Sequence, residues 1–182
     1  MHDGAGPALE ESVTVPSAAR MRELGERLAG LLRPGDLIVL SGRLGAGKTT
    51  LTQGIGAGLG VRGPVTSPTF VIARVHPSLR GGPDLVHADA YRLGSRAEVD
   101  DLDLDTDVDS SVTVVEWGEN LAEGLASSFL EIAIAPAEQA AGEAGPEEAS
   151  PEDEPRTVRV TGWGDRWARA AQATRGALSG TA

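Results

Sequence analysis

GRLGAGKTT, residues 42–50, contains Lys48, the only lysine among 182 residues, whereas the other basic side chains are all arginine. Four residues of this stretch satisfy the pattern G-x-x-x-x-G-K-[ST], namely Gly42, Gly47, Lys48 and Thr49. The pattern follows the apolar run LIVLSG, residues 37–42, and precedes a predicted helix, which is the context in which such a loop binds phosphate groups. The stretch therefore predicts an α/β fold in which a buried strand leads into a phosphate-binding loop.

Each residue type in this loop suits a nucleotide. Glycines let the backbone bend so that several N–H groups point at one place, and the start of a helix adds partial positive charge there. A lysine ammonium reaches between two phosphates where a forked guanidinium would not fit, and the Thr49 hydroxyl can bind Mg²⁺. Because the chain has no N-K-x-D sequence for guanine, ATP with Mg²⁺ is the predicted ligand. The predicted contacts in the loop are Gly42, Gly45, Ala46, Gly47, Lys48, Thr49 and Thr50.

Composition excludes several classes of function. The net charge of −11 is unsuited to general or sequence-specific nucleic-acid binding, which needs a basic face. The absence of cysteine excludes disulfides, zinc–thiolate sites and thiol catalysis. No apolar run approaches the roughly 18 residues of a membrane span, and the N-terminus lacks the apolar segment of a signal peptide. We expect a soluble cytoplasmic protein without membrane contacts.

The remaining chain alternates between strand-like and helix-like segments. We predict a mixed α/β sheet of the P-loop NTPase type, with a parallel core, flanking helices and one antiparallel hairpin formed by residues 66–75 and 84–93. Residues 1–12 are expected to be a disordered N-terminus and residues 13–182 a single domain. Within it, residues 136–155 carry seven acids and no base, which predicts a disordered acidic loop. The helix after the loop contains three glycines, which predicts close packing against a neighbour.

Two carboxylates follow apolar runs and are candidates for metal binding or catalysis. Asp89 ends DLVHAD and Glu116 ends SVTVVE, and the carboxyl ends of buried strands lie beside such a loop. His87 should face the same side as Asp89, either as a catalytic base or, more in keeping with its apolar strand, as a residue that orients Asp89 or packs in the core. The acidic run at residues 101–105 could be a kinase-type pair, although a solvated helix end explains it more simply.

Four motifs, in order, resemble those of the TsaE family of P-loop ATPases in bacterial threonylcarbamoyladenosine tRNA modification. They are GRLGAGKTT, TSPTF, HADAYRL and VVEWGE, and the resemblance spans residues 13–135 and the last strand. It implies that Thr49 and Glu116 are Mg²⁺ ligands and that Asp89 is required for hydrolysis, with Lys48 on the phosphates. It further implies a switch-like loop at residues 66–70, which contains Thr69. The other matching residues around the site are Tyr91, Arg92 and Trp117, with adenine near Ser17, Ala18, Pro155 and Arg156.

The resemblance also implies partners. Members of this family associate with the proteins TsaD and TsaB, and their ATPase cycle resets that complex between turnovers. Because Arg43 is the only arginine in the loop, we expect slow intrinsic hydrolysis that partners accelerate. This chain departs from the family at Arg43, where members often have aspartate. Ala88, Ala90 and the acidic insertion are further departures. Two other hypotheses of function remain: a small-molecule kinase and a non-catalytic nucleotide-binding module.

Overall fold

The computed structural model describes residues 6–67, 73–90, 109–117, 126–137 and 154–180. These residues form strands and helices in mixed order along the chain. The elements are β1 (Leu9–Val15), α1 (Ala18–Ala29), β2 (Leu37–Gly42), α2 (Lys48–Leu59), β3 (Ala73–His76), β4 (Asp84–Asp89), β5 (Ser111–Glu116), β6 (Phe129–Pro136), β7 (Arg156–Trp163) and α3 (Asp165–Ser179).

The seven described strands form one sheet in the order β1-β7-β6-β2-β5-β4-β3. Strands β6, β2, β5 and β4 are parallel neighbours, whereas β3, β7 and β1 pair antiparallel at the two edges. The predicted mixed sheet, with its parallel core and antiparallel β3–β4 hairpin, is confirmed. Because the carboxyl ends of parallel strands meet at one edge, β2, β4 and β5 all finish beside the start of α2.

Strand β2 is buried on both faces, as its continuous apolar run predicts. Ile38 and Leu40 pack into a large core that includes residues of all three described helices. Leu37 and Val39, on the opposite face of the strand, belong to a second cluster with Val115 and neighbouring residues. The strand that leads into the glycine loop is therefore held from both sides.

Helices α1 and α2 pack closely because both carry glycines at their contact. A Cβ atom added at Gly58 of α2 would lie 2.9 Å from the carbonyl oxygen of Glu26, and one at Gly25 of α1 would lie 2.8 Å from the backbone nitrogen of Ile55. Gly54 is equally crowded by the backbone of Arg22. Larger side chains would force the helices apart. The predicted close packing of the helix after the loop is confirmed.

The amino end of β2 carries a charge that the protein satisfies itself. Asp36 is buried and accepts hydrogen bonds from Arg166 at 3.0 and 2.9 Å and from the backbone N–H of Arg33 at 2.9 Å. Arg166 also donates to the carbonyl oxygen of Leu31 at 2.7 Å. This network ties the start of α3 to the segment between α1 and β2.

The N-terminal boundary predicted from the sequence is wrong. Strand β1 begins at Leu9 rather than at residue 13, and Leu9 pairs with Gly162 of β7. The polar stretch Glu10–Ser12 resembles a solvated tail, but Glu11 forms an ion pair with Arg175 of α3. Residues 9–12, which were expected to be disordered, therefore form part of an edge strand.

Several other predicted segments lie outside the described residues. They include residues 138–153 of the acidic loop and the acidic pair within residues 101–105. The ends of the acidic loop are described: Pro136 still belongs to β6, and the N–H of Ala137 donates to the carbonyl oxygen of Pro155 at 3.0 Å. In the described part of the chain, no helix is long and apolar enough to cross a membrane.

Candidate functional site

The glycine loop, residues 42–49, connects β2 to α2 and needs glycine at three places. Gly42, Gly45 and Gly47 have φ values of 151°, 77° and 111°, a region that residues with a Cβ atom rarely adopt. Gly47 precedes α2 and offers no side-chain cap. The start of α2 therefore has no side-chain cap from the preceding residue, an arrangement that also occurs at helix N-termini that hold anions.

Lys48 is buried and its ammonium is held inside the loop. Nζ donates to the carbonyl oxygen of Gly42 at 2.7 Å and to that of Arg43 at 3.1 Å. It also lies 4.4 Å from the centre of the Trp117 ring, a cation–π contact. Trp117 has a φ of 59°, in the left-handed region, immediately after Glu116. The unusual backbone at Trp117 thus accompanies contact of its ring with the lysine.

A cavity of about 940 Å³ opens at this loop. Its size lies within the range of small-molecule binding sites. It is lined by Leu44, Gly45, Ala46, Gly47, Lys48, Thr49, Thr50, Ser67, Asp89, Glu116 and Trp117. The structure thus brings nearly all sequence-predicted site residues together. Gly42 contributes its carbonyl oxygen to Lys48 instead, while Thr69, Tyr91 and Arg92 lie outside the described residues.

The two strand-end acids are neighbours across the sheet. Asp89 of β4 and Glu116 of β5 are register partners, and Glu116 is in turn the partner of Leu40 in β2. Both carboxylates line the cavity, Asp89 half-buried and Glu116 buried. The order β2-β5-β4 places Glu116 one strand from β2 and Asp89 two strands away.

Of the structural roles expected for His87, packing in the core is confirmed, whereas the expectation that it orients Asp89 is wrong. His87 is completely buried, it does not line the cavity, and its Nε2 atom lies 2.9 Å from Oε1 of Glu116. The sequence places His87 and Asp89 on the same face of β4, but it does not reveal which side chain of the neighbouring strand His87 contacts. Spacing along β4 alone could not have identified Glu116 as the partner.

Oxygen ligands for a cation are present in the cavity. The Thr49 hydroxyl and the Glu116 carboxylate are donors of the type that Mg²⁺ prefers. In the described part of the chain, Oε2 of Glu116 has no hydrogen-bond partner, and no group of three or more His, Cys, Asp or Glu side chains could hold a metal. The donor set therefore suits a cation that takes its remaining ligands from water and from a bound phosphate chain.

A smaller pocket of about 200 Å³ adjoins the cavity and shares Gly45, Ala46, Gly47 and Thr50 with it. It contains Ser17, Ala18 and Arg156, which the family resemblance places near adenine, and Nη2 of Arg156 lies 3.5 Å from the carbonyl oxygen of Gly45. The residues of this pocket that the sequence analysis missed are Met21, Arg22 and Glu154. The helical period could have suggested Met21, since it lies one turn beyond Ser17.

Leu44 at the cavity is also missing from the predicted site, and it is 97% exposed. Neither hydrophobicity nor spacing distinguishes it from a core leucine in the sequence. Its exposure follows from the shape of the glycine loop, in which Gly45 on one side adopts a positive φ.

Comparisons with known proteins identify relatives of this chain. The sequence model of the family described as threonylcarbamoyl adenosine biosynthesis protein TsaE matches residues 15–144. The tRNA threonylcarbamoyladenosine biosynthesis protein TsaE of Streptomyces coelicolor is 61% identical over 151 residues, or 82% of this chain and 95% of that protein. The protein of the same name from Mycobacterium tuberculosis is 48% identical over 130 residues, or 68% and 77%.

A solved structure agrees with the sequence relatives. The crystal structure of YdiB from Bacillus subtilis has a TM-score of 0.67 and 27% sequence identity, covering 93% of this chain and 94% of that one. The family match extends over more than half of the chain, and the Streptomyces protein is matched over nearly its whole length. By these matches, the chain belongs to the TsaE family.

Proposed function

We propose that this protein binds ATP with Mg²⁺ in the cavity of about 940 Å³, hydrolyses it slowly, and thereby supports tRNA threonylcarbamoyladenosine biosynthesis in the cytoplasm. One observation carries the proposal: a buried lysine, the open start of α2 and two strand-end carboxylates face a single cavity. The biosynthetic role is supported by the family to which the chain belongs.

The triphosphate is proposed to lie on the glycine loop. Its oxygens would accept hydrogen bonds from backbone N–H groups at the start of α2 and from the Lys48 ammonium. Lys48 now donates to the loop carbonyls of Gly42 and Arg43, so binding exchanges these neutral acceptors for charged ones. The pocket of about 200 Å³ is the proposed adenine site, because it shares Gly45–Gly47 of the loop with the cavity and contains Ser17, Ala18 and Arg156.

Thr49 and Glu116 are the residues that would hold Mg²⁺, through the hydroxyl and the carboxylate oxygen left open by His87. When bound, this cation would neutralise part of the charge on the β- and γ-phosphates. Asp89, on the far side of Glu116 from β2, would orient the attacking water and accept its proton. The division of roles follows the strand order: Glu116 next to the loop strand, Asp89 one strand further out.

Slow hydrolysis is expected from what the cavity lacks. Among the described residues that line it, Lys48 is the only cation, and no arginine is present to stabilise charge on the γ-phosphate. Arg43 follows the first glycine of the loop, but its side chain is exposed. An arginine supplied by a partner can accelerate phosphoryl transfer by about 10³-fold or more. TsaD-like and TsaB-like proteins are the proposed partners.

Phosphate release from Mg²⁺-ATP by the purified chain, alone and with these partners, tests the proposal. We expect a slow intrinsic rate, lost in Lys48→Ala, that rises when the partners are added. A fast rate that partners do not change would contradict it. ADP that forms only when a small-molecule acceptor is added would indicate a kinase, and binding without turnover under every condition would indicate a non-catalytic module.

A further inference from the structure

His87 and Glu116 form a contact that the proposed chemistry does not yet use. The side chain of His87 has no exposure to solvent, and its Nε2 atom lies 2.9 Å from Oε1 of Glu116. We propose that His87 is a positioning residue that fixes the Glu116 carboxylate so that its second oxygen is available to Mg²⁺. This inference rests on the proposed function, because it assigns His87 a part in the metal dependence of ATP binding.

The hydrogen-bond pattern defines the arrangement. A carboxylate oxygen accepts, so Nε2 of His87 carries the hydrogen, and Nδ1 is a buried nitrogen without a hydrogen-bond partner in the described part of the chain. The hydrogen bond to Glu116 is thus the only one that the ring makes there. Its neighbours on β4, Leu85, Val86 and Ala88, are buried and apolar. Burying a polar ring among apolar residues costs free energy unless the ring is hydrogen-bonded, which makes the contact with Glu116 important.

The direction of the contact supports a positioning role. Asp89 is the register partner of Glu116, whereas His87 is the partner of Val114, two residues earlier on β5. His87 therefore approaches Glu116 diagonally, from the interior of the sheet, while Glu116 lines the cavity on its other side. One carboxylate oxygen is occupied by the protein and the other is left for a ligand.

Holding the carboxylate in place should favour metal binding. A glutamate side chain has several rotatable bonds, and ordering them when the ligand arrives weakens binding. Hydrogen-bond partners of metal ligands typically contribute about 10-fold to 100-fold to metal affinity. We therefore expect His87→Leu to raise the Mg²⁺ concentration for half-maximal ATP binding about 10-fold. ATP binding in EDTA should not change.

Three variants separate positioning from packing. His87→Leu removes the hydrogen bond, while His87→Gln keeps an N–H group near the position of Nε2 and should restore most of the Mg²⁺ dependence. His76→Leu is the matched control, because His76 is also a buried histidine, on the adjacent strand β3, and has no contact with Glu116. Calorimetric titrations of ATP across a range of Mg²⁺ concentrations provide the readout, and thermal unfolding in EDTA follows the fold of each variant.

A double variant tests whether His87 acts through Glu116. In the Glu116→Ala background, His87→Leu should cause no further change in the Mg²⁺ dependence. Should His87→Leu not fold, the comparison of His87→Gln with the shorter His87→Asn replaces it, with the glutamine variant expected to bind Mg²⁺-ATP better. The inference is overturned if wild-type protein and the His87 variants show the same Mg²⁺ dependence of ATP binding. It is also overturned if His87→Leu still changes the Mg²⁺ dependence in the Glu116→Ala background. Failure of the wild-type protein to bind ATP would instead overturn the proposed function.

Discussion

The neighbouring central strands β2 and β5 carry buried carboxylates at opposite ends, Asp36 just before β2 and Glu116 at the end of β5, and the protein satisfies the two differently. At the amino end, Asp36 accepts hydrogen bonds from Arg166 and from the Arg33 backbone on both carboxylate oxygens. At the carboxyl end of β5, Glu116 accepts one hydrogen bond from His87 and presents its other oxygen to a cavity. Both carboxylates are buried. The difference between them is how completely other protein groups satisfy each one.

This comparison separates structural charge from functional charge. A buried carboxylate with protein donors on both oxygens is structural, because removing either partner of the pair leaves a buried charge without compensation and destabilises the fold. A buried carboxylate with only one oxygen hydrogen-bonded lowers the stability of the protein. Proteins retain such groups at functional sites, where a ligand supplies the missing partner. We therefore expect changes at Asp36 to affect folding, and changes around Glu116 to affect binding and turnover.

The largest expected effect is on stability, at the amino end. Asp36→Ala leaves Arg166 without its carboxylate in a partly buried position, and breaking such a pair should lower the free energy of unfolding by about 3 kcal/mol. Urea denaturation measures this change. Glu11→Ala, which breaks the exposed pair with Arg175, is the control and should cost under about 1 kcal/mol. Equal losses of unfolding free energy for the two variants would contradict a structural role for the buried pair of Asp36 and Arg166.

The next effect is on hydrolysis, at the carboxyl end. Asp89→Ala should still bind Mg²⁺-ATP but hydrolyse it about 100-fold or more slowly, since the proposed proton transfer occurs only in the transition state. Glu116→Ala should weaken Mg²⁺-dependent binding as well as turnover. Single-turnover hydrolysis and affinity with and without Mg²⁺ distinguish these outcomes. If Asp89→Ala loses Mg²⁺-dependent binding while Glu116→Ala keeps it, the two roles are reversed.

A smaller effect concerns the helix that carries the loop. Gly58→Ala introduces a Cβ against Glu26 and Ala29 of α1 and should destabilise the protein by about 2 kcal/mol. The control is Gly176→Ala in α3, where nothing lies within 4 Å of the added Cβ and helix propensity should stabilise by about 0.5–1 kcal/mol. Thermal unfolding of the two variants should therefore shift in opposite directions. A shift in the same direction would mean that the α1–α2 contact is not tight.

The smallest effect is a pH dependence from His76 on β3. Burial lowers the pKa of His76 below 6.5, opposed by a backbone hydrogen bond with Arg62 and assisted by the charges of His87 and Arg74. The unfolded chain therefore takes up a proton at a higher pH than the folded one, so this contribution to stability is complete above pH 6.5 and declines below it. Denaturation between pH 7.5 and pH 5.5 should show a weaker loss of stability in His76→Leu than in wild-type protein, and identical profiles would contradict this.

The sequence predicts one end of the molecule much better than the other. The glycine loop, Asp89 and Glu116 are local signals, because each follows an apolar run that defines its own strand, and the sheet then brings them to one cavity. The network of Asp36 and Arg166 joins residues 130 positions apart and has no local signature. Long-range pairs of this kind depend on how helices pack on the sheet.

The same reason explains the two corrections. Glu11 lies in a strand because β1 pairs antiparallel with β7, far along the chain, and Arg175 of α3 neutralises its charge. His87 contacts Glu116 because β4 and β5 are neighbours with a definite register. Neither of the two sequence motifs on these strands reveals that register by itself. Periodicity within one strand gives the face of a side chain, whereas its partner is set by strand order.

Calorimetric titration of Mg²⁺-ATP into wild-type protein and Lys48→Ala tests the central claim most directly. Loss of charge-assisted hydrogen bonds to phosphate should weaken binding about 100-fold or more, with the fold intact by circular dichroism. Arg43→Ala is the matched control: its side chain is exposed and only its carbonyl contacts Lys48, so affinity should change less than about fivefold. Equal ATP affinity of wild-type protein and Lys48→Ala would contradict the account.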